Sequence, residues 1–393
     1  MAGALHKIRV LDLTRILAGP LCTQILGDLG ADIIKIEKPG AGDDTRQWGP
    51  PFLKDARGND TSESAYYICC NRNKRSAAID ITSAGGQELI HRLLDECDVM
   101  VENFKTGTLK KYGLDYEEIH KRHPHIVYCS ITGFGQTGPL AVEPGYDFLA
   151  QAMSGLMACT GNPGEEPMKT GVALGDVMTG LYAATGILAA LRHRDETGEG
   201  QLIDLSLLDC TVAGMVNIAQ YYLSAGTPPP RMGNAHPTIV PYQTFRTADG
   251  HIVIAVGNDA QFRRLAEFLG QDWADNEKFS ANRLRVNNRT ELISRMNPII
   301  EKNTTEYWIK ALQKIDVPAG PVNTIDQVFA MAQIKARQME VEMPHEPTGQ
   351  PLKMVGSPLK MSATPVSFRR APPACGEHTE EILKEILGTK DIG

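Results

Sequence analysis

The sequence predicts an α/β protein: an open, largely parallel sheet, followed by a smaller α+β domain. Three observations predict it. Short β-branched runs alternate with helical patterns through the first third, the run SAGTPPPRMGN then breaks the pattern, and two strand-like runs joined at Ala248-Asp249-Gly250 follow the break. Strands that alternate with helices are joined by crossovers, which makes the sheet parallel and covers both of its faces. At 393 residues the chain also exceeds what one hydrophobic core ordinarily serves.

The elements follow in order. IRVLDLT reads as a strand, then a helix over residues 22–29, then the strand ADIIKIEK. SAAIDIT, a helix through QELIHRLLDE, CDVMVENF and HIVYCSIT continue the alternation. Residues 39–64, rich in Gly, Asp and Pro, are long for a connector and read as a functional or mobile loop. An apolar helix over residues 176–192 precedes the strand QLIDLSLLD and a further helix to about Leu223. A boundary there gives residues 1–224 as a large α/β domain and 225–325 as a small α+β domain with helices at 260–269 and 305–315. Residues 326–393, ending in the helix HTEEILKEIL, form a segment able to return to the first domain.

A net charge of −7 and a pI of 5.8, with the cations scattered, argue against a nucleic-acid partner and leave room for a small anionic ligand. Eight cysteines with no CxxC spacing, and an N-terminus without the apolar stretch of a signal peptide, point to free thiols in a reducing, cytoplasmic compartment and to no metal. The apolar run 172–191 is interrupted by Asp176. A carboxylate in hydrocarbon costs about 3 kcal/mol, so the run reads as a buried helix and not a membrane span.

Two motifs carry competing chemistries. GFGQTG, at Gly133, Gly135 and Gly138, matches the dinucleotide pattern and makes an NAD-dependent oxidoreductase the rival class. That pattern needs a helix opening on its last glycine, whereas Pro139 and Pro144 follow, so a structural turn is the better reading. Asp176 is the one acid inside TGVALGDVMTGLYAATGILAAL. It is either the N-cap of that helix or a catalytic carboxylate. Of Arg15, Lys38, Arg46, the cluster Arg72, Lys74 and Arg75, and Lys110 and Lys111, several follow predicted strand ends, where open α/β sheets bind ligands, while Lys110 reads as a solvated surface lysine. Tyr146 and Asp147 open a further helix or serve as polar site residues.

In their order and spacing, VLDLTRILAGP, GDLGADIIKIEKPGAGDDTRQWGPP, NRNKRS, DVMVENFKTGTLKKYGL, SITGFGQTGP, GYDFLAQAMSG, GVALGDVMTGLYAATGILAAL, VPAGPVNT and GEHTEEILKEIL resemble the class III CoA-transferase family, which includes formyl-CoA and carnitine CoA-transferases. The resemblance implies a Rossmann-like large domain built from both chain ends, a small inserted domain and an interlinked homodimer. It implies Asp176 as covalent nucleophile, an acyl-CoA and a carboxylate as substrates, and no separate cofactor. By the same resemblance Lys38, Arg72, Lys74, Arg75, Asn103, Phe104 and Lys111 lie along the CoA groove, and Trp48 and Tyr146 line the reaction centre.

Departures from the family narrow the chemistry. Formyl-CoA transferase has a glutamine where this chain has Leu17, and a long glycine-rich loop where this chain has GNDAQ, whose Gly257 and Asn258 amides are candidate oxyanion donors or a lid. The 2-methylacyl-CoA racemases of the family have a histidine where Tyr146 stands, so transfer is favoured over racemisation. LTRILAGP and GAGDDTRQWGPP resemble the succinyl-CoA:glutarate branch, with acetyl-CoA:oxalate transferase also similar. Arg15 and Arg46 are then candidates to hold the non-reacting carboxylate of a short diacid, or else to bind CoA phosphates or pair with Asp43 and Asp44. A non-catalytic CoA-binding protein is the remaining alternative.

Overall fold

The computed structural model describes residues 3–388; Met1, Ala2 and residues 389–393, the end of the C-terminal segment, lie outside the described residues. The chain forms two compact units, one of residues up to 156, 169–226 and 332 onward, the other of 157–168 and 227–331.

In the first unit, β1 (Arg9–Asp12), β2 (Asp32–Glu37), β3 (Lys74–Ala78), β4 (Val99–Glu102), β5 (Val127–Thr132) and β6 (Leu202–Ser206) form an all-parallel sheet in the order β3-β2-β1-β4-β5-β6. Successive residues of a strand point to opposite faces. Val10, Ile33, Val99 and Cys129 accordingly pack on one face, and Leu11, Ile34, Met100 and Tyr128 on the other. The first face is covered by α1 (Ala18–Asp28) and the long apolar helix Leu174–Thr197; the second by α2 (Ala84–Leu94) and the C-terminal helix Thr379–Leu387. Between β1 and β4 the strand order reverses direction, which opens a crevice at their carboxyl ends.

The second unit has a three-stranded antiparallel sheet made of Tyr242–Arg246, His251–Ala255 and Ala319–Pro321, with the first two joined as a hairpin at Ala248–Gly250. Its core gathers Phe245, Ile252, Ile254, Phe262, Trp273, Phe279 and Trp308. Residues 157–168 are held to it by the Arg231 guanidinium, which donates to the carbonyls of Ala158, Asn162 and Glu165.

Charged residues organise both ends of β1, β2 and β3. A buried charge is costly unless it is paired and hydrogen-bonded. Lys74, fully buried, donates to Asp12 (3.0 Å), the Pro20 carbonyl and Asn71. Arg72 forms a fork on Asp28 and also donates to the Val355 carbonyl. Arg75 pairs with Asp32, Glu381 and Glu385. Arg46 grips Glu37 with two nitrogens (2.9 and 2.7 Å), reaches Glu63 and the Pro373 carbonyl, and lies 3.6 Å over the Tyr67 ring. These four cations, expected in the ligand groove or at the substrate, spend their donors inside the fold. Arg72, Arg75 and Arg46 clamp the returning C-terminal residues onto β2 and β3.

The segment 39–64, expected to be functional or mobile, is ordered by the same network. It contains the 3-10 turn Asp44–Gln47, which carries Arg46, and the hairpin Phe52–Lys54 with Asp60–Ser64.

Candidate active site

The crevice between β1 and β4 holds a cleft of about 240 Å³ lined by Arg15, Ile16, Leu17, Asn103, Phe104, Tyr146 and Asp176, among others. A second cleft, of about 530 Å³, shares Arg15, Asp44 and Phe104 with it and extends past Lys38 and Asp80 to Tyr112.

The wall after β1 is held at almost every polar group. Asp12 accepts from the backbone and hydroxyl of Thr14 (2.9 and 2.5 Å), and the buried Lys35 ammonium donates to the Thr14 carbonyl and to Asp43. Asn103 accepts from the Arg15 amide (2.9 Å) and donates to its carbonyl (2.6 Å), while Asp43 accepts from Ile16. Ile16 sits at φ 74°, a conformation that a β-branched residue avoids and that persists only where surroundings over-determine it. The next residue, Leu17, is the N-cap of α1 and has no side chain able to cap it, so first-turn N–H groups of α1 remain at the edge of the cleft.

Asp176 is brought there by close packing of two helices. α3 (Asp147–Met153) precedes α4 (Leu174–Thr197), whose Gly180 lies against the start of α1; a Cβ there would meet the Ala18 carbonyl oxygen at 2.7 Å. Asp176 is the third residue of α4 and not its N-cap, which is Ala173. The capping role falls to Asp147, the first residue of α3, whose carboxylate accepts from the Gly175 amide at 2.8 Å and the Asp176 amide at 3.4 Å. Burial, and secondarily the Asp147 charge, push the Asp176 carboxyl up to about 7. Burial also pushes Tyr66 up to about 12, with Asp176 the next contributor, so Tyr66 is a neutral hydroxyl within electrostatic reach of the acid. The Trp48 ring meets Tyr66 edge to face at 5.2 Å.

Arg15 lines the cleft together with a second cation, Lys105. Its Nη1 pairs with Asp44 at 2.8 Å, its guanidinium carbon lies 5.3 Å from the Phe104 ring centre, and its Nε is buried without a hydrogen-bond partner. Lys38 lines the second cleft, whereas Lys111 is exposed on the turn Leu109–Tyr112 and lines neither cleft. Gly257 and Asn258 belong to the second unit. There the Gly257 amide donates to Gln261 (2.8 Å), and Asn258 caps the helix Asp259–Phe268 by accepting from the Gln261 amide through its side-chain oxygen.

The GFGQTG run follows β5, and no helix opens on Gly138; the next begins at Asp147. A Cβ on Gly133 would fall 2.5 Å from the Gly145 Cα, so that glycine serves the close crossing of two backbone segments. Among the described residues no group of three or more His, Cys, Asp or Glu side chains is arranged to hold a metal. One helix, Leu174–Thr197, is long and apolar enough to cross a membrane, and half of its most apolar window is buried within the fold.

Sequence reasoning named Asp44 among the possible partners of Arg15, and missed Asp147 as the capping acid and Tyr66. The spacing of Tyr66 gives no signal, because it reaches the site by tertiary packing alone.

Residues 5–379 match the family model described as CoA-transferase family III. The chain belongs to that family. It is 46% identical over 383 residues to the succinate–glutarate CoA-transferase of Agrobacterium fabrum, covering 97% of this chain and 95% of that one. It is 45% identical to the human succinyl-CoA:glutarate CoA-transferase, covering 98% and 87% of the two chains. The crystal structure of a CAIB/BAIF family protein from Brucella suis superposes with a TM-score of 0.87 at 45% identity, covering 98% of this chain and all of that one. The protein is therefore a class III CoA-transferase, and CoA thioesters and carboxylates are the substrates of its chemistry.

Proposed function

We propose that this transferase passes CoA from succinyl-CoA to glutarate or a similar short dicarboxylate, with Asp176 as the covalent nucleophile. The observation that carries the reading is a buried carboxylate on the first turn of a helix, sharing one cleft with Arg15 at the switch point of the sheet. The substrate pair follows the names of the relatives in Agrobacterium fabrum and human.

In this mechanism the Asp176 oxygen attacks the thioester carbonyl, giving a mixed anhydride and CoA thiolate. The thiolate attacks the aspartyl carbonyl; the anhydride C–O bond breaks, succinate leaves, and an enzyme–CoA thioester remains. Glutarate then attacks that thioester, expelling thiolate and forming a second anhydride, whose glutaryl carbon the thiolate takes. Each step is covalent catalysis and depends on keeping water from the anhydride. The N–H groups at the start of α1 are positioned to stabilise the oxyanions. Lys38, Asn103 and Phe104 line the path for CoA. Arg15 takes the distal carboxylate, with Asp44 fixing its orientation and leaving the remaining edge of the fork to the substrate.

We read the enzyme further as a soluble, cytoplasmic homodimer. Support for a second copy comes from large apolar side chains left exposed along consecutive helices, among them Phe148 (59%), Leu181 (51%), Val216 (70%) and Leu223 (72%).

A panel of acyl-CoA donors against mono- and dicarboxylates, with mass spectrometry of the CoA products, tests the substrate claim. Succinyl-CoA with glutarate is expected to lead, and Arg15→Lys is expected to raise the glutarate KM more than that of succinyl-CoA, whose CoA moiety supplies other contacts. Equal use of length-matched monocarboxylates would end the diacid assignment and leave the transferase class standing.

A further inference from the structure

Cys69 and Cys70 are adjacent in sequence and end the short helix Ala65–Ile68, which carries Tyr66; Cys69 is its C-cap. Cys69 is exposed and Cys70 buried. The two thiols meet side chain to side chain. Cys69 Sγ lies 3.0 Å from the carbonyl oxygen of Tyr66, and Cys70 Sγ lies 3.8 Å from that of Ile16 while accepting from Asn71 Nδ2 at 3.6 Å. Asn71 in turn accepts from Lys74 at 2.9 Å. The pair thus touches the backbone of Ile16, which lines the Asp176 cleft, and of Tyr66, which senses the Asp176 charge.

We propose that Cys69 and Cys70 form a dithiol site for trivalent arsenic compounds and like thiophiles, and that filling it stops CoA transfer. Contact with Cys70 holds the Cys69 thiol below the ordinary thiol range, with the Lys74 charge adding to this, while the same contact and burial push Cys70 up. Cys69, the exposed thiol of the pair, attacks first. With an aryl arsenoxide, two As–S bonds replace the arsenic–oxygen bonding. The oxygen leaves as water with the two thiol protons, and arsenic stays trivalent. The second As–S bond forms within the molecule, so its effective concentration outcompetes a free monothiol but not a small dithiol. Soft thiolates favour such ligands. Reaching the buried Cys70 requires its sulfur to leave the Ile16 carbonyl, which disturbs the strained turn carrying Arg15 and Leu17.

The other cysteines provide no such pair in the chain: Cys22, Cys97, Cys129 and Cys210 are buried, and Cys159 and Cys375 are half-buried with no neighbouring cysteine in sequence. The test treats the full-length enzyme with one equivalent of phenylarsine oxide, then measures transfer and maps the adduct by mass spectrometry. The expected result is one aryl-arsenic group on the peptide containing Cys69 and Cys70, loss of transfer that persists in excess glutathione, and recovery with dimercaptopropanol. Cys69→Ser should keep transfer and resist the reagent. An adduct on any other cysteine, full activity with the adduct in place, or undiminished inhibition of Cys69→Ser would each overturn the proposal. If Cys69→Ser fails to fold, the wild-type adduct map and the monothiol and dithiol arms decide it alone.

Discussion

Asp176 and Asp147 divide two roles that a single aspartate at a helix start often combines. Asp147 caps α4 from a neighbouring helix, which leaves Asp176 in the first turn with its carboxyl turned to the cleft. The cost of that arrangement is readable as stability. The folded-state value near 7 lies above the unfolded value of 3.8, so between these limits the folded chain binds more protons and stability falls as pH rises. Below about pH 4 both states are protonated and no penalty exists; above about pH 7 the penalty is complete, on the order of 4 kcal/mol at most. Asp176→Asn, nearly isosteric and uncharged, should therefore unfold at higher urea than wild type at pH 8 and at about the same urea at pH 4. A constant difference across pH would show that the acid is not desolvated in the folded enzyme. The identity of this residue was legible in the sequence as a lone acid in an apolar run. Its partner was not, because the 29-residue separation of the two aspartates closes only through packing of α3 on α4.

At the scale of elements, the cations separate by what surrounds them. Strand ends of an open sheet attract ligands, and of the cations that rule singled out, Arg15 and Lys38 line the two clefts. It failed for Arg46, Arg72, Lys74 and Arg75, whose acidic partners come from distant positions such as Glu37, Asp28, Asp12 and Glu381. Only the folded topology brings those pairs together. A buried pair broken on one side leaves an uncompensated charge, at a cost of about 3–5 kcal/mol. Arg46→Met should accordingly lower stability by that order in urea unfolding, since Glu37 and Glu63 lose their partner. The fraction that remains folded should keep the wild-type glutarate KM. A large rise in glutarate KM at unchanged stability would return Arg46 to the substrate site. The strand alternation, the Ala248–Gly250 hairpin and the C-terminal helix were all readable from periodicity. The order within residues 39–64 was not, because beside the local turns at Asp43 and Asp55 it rests on the distant partners of Arg46.

At the scale of the molecule, the sheet order β3-β2-β1-β4-β5-β6 builds a nucleotide-type crevice without the glycine-rich turn after β1 that dinucleotide sites use. In its place stands Thr14-Arg15-Ile16-Leu17, held by Asp12, Lys35, Asn103 and Asp43. The same crevice that serves a dinucleotide elsewhere is here lined by one paired arginine and one buried acid, a combination suited to acyl transfer between carboxylates. The covalent role of Asp176 is the centre of this account. It is tested most directly by incubating the enzyme with succinyl-CoA alone, trapping, and mapping peptides by mass spectrometry. The account predicts a CoA-sized adduct on the peptide containing Asp176, absent in Asp176→Asn and discharged by adding glutarate. Transfer at the wild-type rate by Asp176→Asn, or an adduct mapped to another carboxylate, would contradict it.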